Sequence, residues 1–315
     1  MKEPNLRLKR AEYSLRALSI GDAFGEQFFF SEDGYIISEE MVLDMARTRQ
    51  MPGAPRHFTD DTVMAISIVD VLRERGQVDQ DRLAELFGLR YTLDRHRGYG
   101  GTAYGILKKL SNGASWRQVA SDVFDGSGSM GNGGAMRAPP IGAYFAEDLD
   151  AVAEAARLSA EVTHAHPEGQ AGAIAVAMAA AVVTRGETDP RSLFLAVLSR
   201  TPAGEVWAGV ERASRLHLGY DVRTAASVLG NGKRITAPDT VPFVLWCAAR
   251  HLGHFEDAMW TTVSGLGDRD TTCAMVAGIV AMGHGVAIPE EWESGTEPLS
   301  TMSLEGRSPV EGGAK

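Results

Sequence analysis

The chain opens on a helical repeat. Leu6, Leu8, Ala11, Leu15 and Leu18 recur at the spacing of one helix face, which predicts a helix over 6–20 stopped by Gly21. Phe28, Phe29 and Phe30 follow, at least two of them expected in a core, and then a polar segment. Pro and Gly between 53 and 57 mark a loop that delivers the chain into Thr59. Helical spacing returns over 62–75 and 80–93, and Arg97-Gly98-Tyr99-Gly100-Gly101 makes a turn. Further helices are predicted over 102–110 and around Trp116, ahead of the most glycine-dense stretch, 126–134. Beyond Pro139-Pro140, Ala-rich helices are predicted over 149–163, 168–184, 190–199 and 203–216, then 221–230, 238–251, 255–265 and 271–284. No run of alternating β-branched residues is bounded by turns, so the class is mostly or wholly α. Residues 1–290 are expected to form one domain. The polar, Gly- and Glu-rich stretch 291–315 is expected to be a disordered tail.

Composition narrows the class. Hydrophobic residues make up 44% of the 315 residues and charged residues 23%, the balance of a soluble globular chain with a full core. The net charge of −10 argues against a nucleic-acid backbone as main partner, which needs clustered Lys and Arg. It leaves room for a small phosphate-bearing ligand held locally or through a metal. Cys247 and Cys273 make neither a metal knuckle nor a disulfide framework, which suits a reduced cytoplasm. The N-terminus lacks the apolar core of a signal peptide, and the apolar stretch 171–183 is too short for a bilayer, so no membrane role is expected.

Chemistry concentrates at two helix starts. Thr59-Asp60-Asp61-Thr62 runs straight into Val63, Met64 and Ile66, and Asp268-Arg269-Asp270-Thr271 runs into Cys273, Met275 and Val276. Each alone is most simply a cap, with Thr and Asp serving free N–H groups and the helix dipole. Were the two to meet, four carboxylates would share one site, and like charges about 4 Å apart cost on the order of 4 kcal/mol per pair at an effective dielectric of 20. Cations relieve that, and carboxylate and hydroxyl ligands without thiolate select Mg²⁺, Mn²⁺ or Ca²⁺. The glycine-rich stretch contains a formal G-x-G-x-x-G at Gly126, Gly128 and Gly131, but a poor strand precedes it and Pro139-Pro140 cuts off the receiving helix. It reads equally as a surface loop or as a backbone cradle for phosphate. His164 and His166 with Glu168 make a weak zinc set; one His serving a ligand and the other capping a helix C-terminus fits better. A serine hydrolase lacks its strand-borne elbow.

In order along the chain, Gly21-Asp22-Ala23-Phe24-Gly25, Thr59-Asp60-Asp61-Thr62, Arg97-Gly98-Tyr99-Gly100, 128–137, Thr163-His164 and 267–271 resemble the motifs of the ADP-ribosylglycohydrolases, a family that includes the dinitrogenase-reductase-activating glycohydrolase. The resemblance spans roughly 8–285. It implies a compact, orthogonal, all-α multi-helix domain with two Mg²⁺ (or Mn²⁺) ions on Thr59, Asp60, Asp61, Asp268, Asp270 and Thr271. It also implies ADP-ribose on Tyr99, Gly100, Gly128, Ser129, Met130, Gly131, Asn132 and His164. The implied reaction releases ADP-ribose from a protein side chain or small acceptor by hydrolysis at the anomeric carbon, with Asp60 or Asp61 orienting or deprotonating water. Several members carry an acid/base Glu shortly after the first motif; here that position is Phe29, and Glu26 is the nearest carboxylate. Members usually place an aromatic after the loop serine, where this chain has Met130, and the spacer Arg269 either flanks the ions or points away. The alternatives are a non-catalytic ADP-ribose binder of the same fold and, on the glycine fingerprint alone, an NAD-dependent oxidoreductase. A monomer is expected.

Overall fold

The computed structural model describes residues 6–31 and 33–304. Its helices are α1 (Leu6–Glu26), α2 (Glu39–Thr48), α3 (Asp60–Arg75), α4 (Gln80–Leu93), α5 (Gly101–Ser111), α6 (Trp116–Asp122), α7 (Gly133–Met136), α8 (Pro139–Tyr144) and α9 (Leu149–Glu161). They continue with α10 (Pro167–Thr184), α11 (Pro190–Leu198), α12 (Glu205–Arg215), α13 (Val222–Leu229), α14 (Ala237–Arg250), α15 (Phe255–Val263), α16 (Arg269–Val280) and α17 (Glu290–Ser294). Among the described residues there are only isolated bridges and no sheet. The all-α class holds.

Helix α10 is apolar all round and buried at every position from Ala171 to Thr184, so it forms the spine, packed by α8, α9, α11 and α14. The most extensive helix pair is α1 with α16. A Cβ on Gly21 or Gly25 would overlap the carbonyl oxygens of Cys273 and Arg269, so these two glycines, one turn apart, let the two backbones touch. That contact explains why α1 runs through Gly21 to Glu26 instead of stopping there: packing outweighs the propensity cost of about 1 kcal/mol per glycine.

Four other expectations change. Of the three consecutive aromatics only Phe28 is buried; Phe29 is half-buried and Phe30 exposed. The polar segment after them contains α2, a short helix that buries only Val42 and Ala46, one turn apart on one face. Pro139 and Pro140 begin a helix, as suits Pro in a first turn. The expected tail is ordered up to 304, and residues 305–315 lie outside the described residues. Its aromatic side chain, Trp292, is fully buried against Phe24, with ring centroids 4.6 Å apart. Buried Arg56 donates to the carbonyls of Glu291 (3.0 Å) and Trp292 (2.9 Å), and the amide of Glu297 bonds the carbonyl of Arg56 (2.9 Å). Arg97 grips Glu297 with both terminal nitrogens (2.7 and 2.8 Å) and the carbonyl of Phe58 (3.0 Å). A polar composition hid a strap that fastens the loop leading into Thr59.

Candidate active site

Helices α3 and α16 point their N-termini at one another, with α1 behind both. The hinge of the arrangement is Asp22, in the α1 turn between Gly21 and Gly25. Thr59 stands at the N-cap of α3 without a side-chain cap bond of its own. Asp22 supplies the cap from a different helix, accepting from the Thr59 amide (3.0 Å) and hydroxyl (2.8 Å) and from the Thr62 amide (3.0 Å) and hydroxyl (2.6 Å). Burial and the neighbouring Asp270 push the Asp22 carboxyl up to about 7, against the pull of these donors.

The two acidic motifs do meet. Thr271 Oγ1 donates to Asp61 Oδ2 (3.2 Å), and Thr59 Oγ1, its proton on Asp22, lies at the same distance from that oxygen. Carboxylate oxygens of Asp22, Asp61 and Asp270 lie within 4.8 Å of one another. Full charges at that separation repel by about 3 kcal/mol per pair at an effective dielectric of about 20. Burial first, and mutual repulsion second, raises Asp60, Asp61 and Asp268 well above the usual carboxylate range; burial also raises Asp270. Asp61 Oδ1 and Asp270 Oδ1 are buried with no hydrogen-bond partner. Orphaned acceptors beside two helix N-termini, in a set of carboxylates and threonine hydroxyls, suit a hard divalent cation. The donor set fits.

Asp60, Asp61, Asp268, Asp270 and Thr271 line a cleft of about 380 Å³ together with Gly98, Gly100, Ser129, Met130, Gly131 and His164. The glycine-rich stretch enters it through a turn. Gly128 has φ +74°, and a Cβ there would lie 2.6 Å from the amide nitrogen of His166. Gly128 therefore shapes the loop from behind and is not part of the lining. The loop is pinned to 235–237: the Ala237 amide bonds the Met130 carbonyl (2.9 Å), and the Asn132 amide the Ile235 carbonyl (3.3 Å). Asn132 turns its side-chain amide to Asp268 Oδ2 (2.6 Å) and Thr240 (3.2 Å), so it orients an acidic residue. With only four-residue α7 after the loop and no sheet among the described residues, the dinucleotide fingerprint has no strand–helix frame.

His164 is buried and held by Thr163. Arg137 Nη2 donates to Thr163 Oγ1 (2.9 Å), whose proton is thereby left for His164 Nδ1 (2.7 Å). The ring's Nε2–H then faces Gly131, and burial followed by the Arg137 charge lowers His164 to about 3, a neutral donor at physiological pH. Arg137 itself is fully buried, donating to Ser159 O (2.8 Å) and Gly133 O (3.2 Å), and burial lowers it to about 9. His166 caps the N-terminus of α10, accepting from the Glu168 amide (3.1 Å), where a C-terminal cap was expected. Glu168 accepts the amides of Glu205 and Val206 (each 2.8 Å), so neither residue belongs to a metal set.

Of the residues expected here, Asp60, Asp61, Asp268, Asp270, Thr271, Gly100, Ser129, Met130, Gly131, Asn132 and His164 line the cleft. Thr59 sits behind them on Asp22. Tyr99 packs on Tyr91 (ring centroids 5.7 Å) and is outside the lining. Glu26, half-buried at the end of α1, is raised to about 7 by burial and then by Asp270 and Asp22, but does not line the cleft either. Arg269 points away from it, donating to Phe28 O (2.8 Å) with its guanidinium 4.1 Å from the Phe29 ring centroid. Sequence reasoning missed Asp22, although a carboxylate between two glycines one helical turn apart was a readable signal. It also missed Phe124, 59% exposed at φ 52°, and Ile235, 60% exposed at φ 54°, both in the lining.

Residues 3–308 match the family model described as ADP-ribosylglycohydrolase. The chain is 30% identical to human ADP-ribosylhydrolase ARH3 over 96% of its own length and 93% of that protein. It is 32% identical to the mouse protein of the same name over 82% and 79%. An uncharacterised protein of Archaeoglobus fulgidus is 29% identical over 88% of each chain. Among solved structures, one titled an ADP-ribosylglycohydrolase-related protein complex superposes with a TM-score of 0.61 at 22% identity, over 95% of this chain and 96% of that one.

Proposed function

The chain belongs to the ADP-ribosylglycohydrolase family, and from that premise we propose that it hydrolyses the bond between the anomeric carbon of ADP-ribose and a protein side chain or small acceptor. The observation that carries this reading is the pair of buried, unpartnered oxygens, Asp61 Oδ1 and Asp270 Oδ1, on residues that line a cleft together with a glycine loop. Two divalent ions, Mg²⁺ or Mn²⁺, would be held by Thr59, Asp60, Asp61, Asp268, Asp270 and Thr271. When bound, they supply charge neutralisation and polarisation of ligand oxygens.

The protein's own groups do the rest. The diphosphate is received by the N-terminus of α5, which opens at Gly100 and Gly101 in the lining, and by the amides of the 129–133 loop other than those of Gly131 and Asn132, which bond Ser129 and Ile235. His164 Nε2–H, being neutral, donates without adding charge. Met130 and Phe124 offer the apolar surfaces for a base. Asn132 fixes Asp268, and Asp22 fixes Thr59 and hence the start of α3. Asp60 or Asp61 orients the attacking water and takes its proton, since both reach the lining. Glu26 feels the cluster but does not reach the cleft, so we leave it outside the proton transfer.

A second reading, an ADP-ribose binder without turnover, has one observation in its favour. Phe29 stands where several relatives carry an acid/base Glu, and Arg269 covers its ring. Calorimetry with ADP-ribose, with and without Mg²⁺, followed by arginine- and serine-linked substrates, separates the two. Metal-dependent binding with release of ADP-ribose supports hydrolysis, and Asp270→Ala should abolish release while leaving the helical circular dichroism intact. Release by that variant at the wild-type rate would overturn the assignment.

A further inference from the structure

The cleft has a neighbour on the outer side of Asp268. A second cavity, of about 530 Å³, is walled by Phe29, Glu39, Arg223, Lys233, Ile235 and Arg269 among others. Asp268 and Ile235 line both cavities, so the second adjoins the first at its acidic end. Ile235 is the ridge between them. A β-branched residue at φ 54° is a strained one. It is held there by its amide on the Gly232 carbonyl (2.7 Å) and by the Asn132 amide on its own carbonyl (3.3 Å).

The charge of this outer cavity runs against that of the chain. Arg269 is committed to Phe28 and Phe29. Arg223 on α13 and Lys233 on the following loop are exposed, and neither side chain has an ion-pair or hydrogen-bond partner among the described residues. Asp268 turns an oxygen to Asn132, which leaves Glu39 as the opposing carboxylate. Ahead of Glu39, Phe30 and Ile36 form an antiparallel bridge within a polar stretch and are 56% and 80% exposed, with Met41 at 55% beyond.

We propose that the outer cavity is the acceptor subsite, and that it takes a polypeptide whose ADP-ribosylated residue is flanked by acidic side chains read by Arg223 and Lys233. The proposal rests on the ADP-ribose reading of the inner cleft for the position of the scissile bond. Two free cations in one cavity suit acidic side chains, and the exposed Phe30 and Ile36 suit the apolar side chains of a peptide. A small acceptor would leave Phe30 and Ile36 unused.

The test uses peptides carrying ADP-ribose through a non-hydrolysable link, flanked by Glu, Gln or Lys, with fluorescence polarisation as readout in Mg²⁺ and each Kd normalised to that of free ADP-ribose. Two exposed ion pairs predict that wild type prefers the Glu-flanked over the Lys-flanked peptide by about tenfold. The preference should shrink at about 0.5 M salt and invert in the double variant R223E/K233E. Equal affinity for the three peptides, or an unchanged preference in the double variant, overturns the subsite. Hydrolysable versions of the same peptides keep the two readings apart. Flank preference without release of ADP-ribose keeps the subsite and sinks the hydrolase, release without flank preference does the reverse, and no binding by any peptide sinks both.

Discussion

Replacing Asp22 tests the tertiary cap on which the site is built. In Asp22→Ala the amides of Thr59 and Thr62 lose their acceptor in a buried setting. Each orphaned amide costs about 1–3 kcal/mol, so the pair is worth about 2–6 kcal/mol. With an unfolding entropy of about 2.1 cal/mol/K per residue over 315 residues, the melting temperature should fall by about 3–9 °C. Asp22→Asn is the finer probe. It keeps one acceptor oxygen for Thr59 but can set an NH₂ against the Thr62 amide, at about 1–3 kcal/mol, half the loss or less. Removing Asp22 also removes its repulsion with Asp270, which would mask the effect. Melting followed by circular dichroism at about pH 5 avoids this, because a carboxyl raised to about 7 is already protonated there. Melting temperatures of both variants within about 1 °C of wild type would refute the cap. ADP-ribose release should fall about a hundredfold or more with Asp22→Ala, since Asp60 and Asp61 ride on the same helix start.

Three further outcomes follow from the same contacts. Asp22 and Glu26, both raised to about 7 in the fold, keep their protons there while the unfolded chain loses them above about pH 4; their contribution is lost as pH rises from about 4 through 7. The gain in melting temperature on adding Mg²⁺ should therefore grow from about pH 5 to pH 8, and a gain independent of pH would contradict the cluster; His164, held at about 3, has the opposite slope but acts equally with and without metal. Phe124→Ala should weaken ADP-ribose by roughly 1–3 kcal/mol in calorimetry, the worth of one base–aromatic stack, with the rate at saturation little changed; an unaltered Kd places the base elsewhere. Deleting 291–315 removes fully buried Trp292 and the acceptors of Arg56, a loss of at least about 3–5 kcal/mol; a truncated protein that melts with wild type would show the strap to be dispensable.

The helices and the two acidic starts were legible because their causes are local. An apolar residue every three or four positions buries one face, and Thr with Asp before such a run serves free amides; both are properties of a few adjacent residues. The loop 128–133 was legible as a loop but not its division of labour: Gly128 shapes it from behind, Asn132 serves Asp268, and Ser129, Met130 and Gly131 face the cleft. Tyr99 and Glu26 lie in or next to the motifs, yet their side chains end on Tyr91 and behind the cluster. The strap 291–304 was illegible because a single Trp and a row of backbone carbonyls, not a periodic face, hold it down.

By itself, then, the amino-acid order determined an all-α chain with two separate carboxylate-bearing helix starts and a glycine loop between them. Tertiary structure decided that the starts face each other. Gly21 and Gly25 let α1 and α16 touch, and that contact sets Asp22, capping Thr59 and Thr62 across 37 and 40 residues, beside Asp270. The reason is one of range. Periodicity and capping act within a turn or two of helix, whereas crowding buried carboxylates until they need a cation depends on distances that only the packed fold establishes.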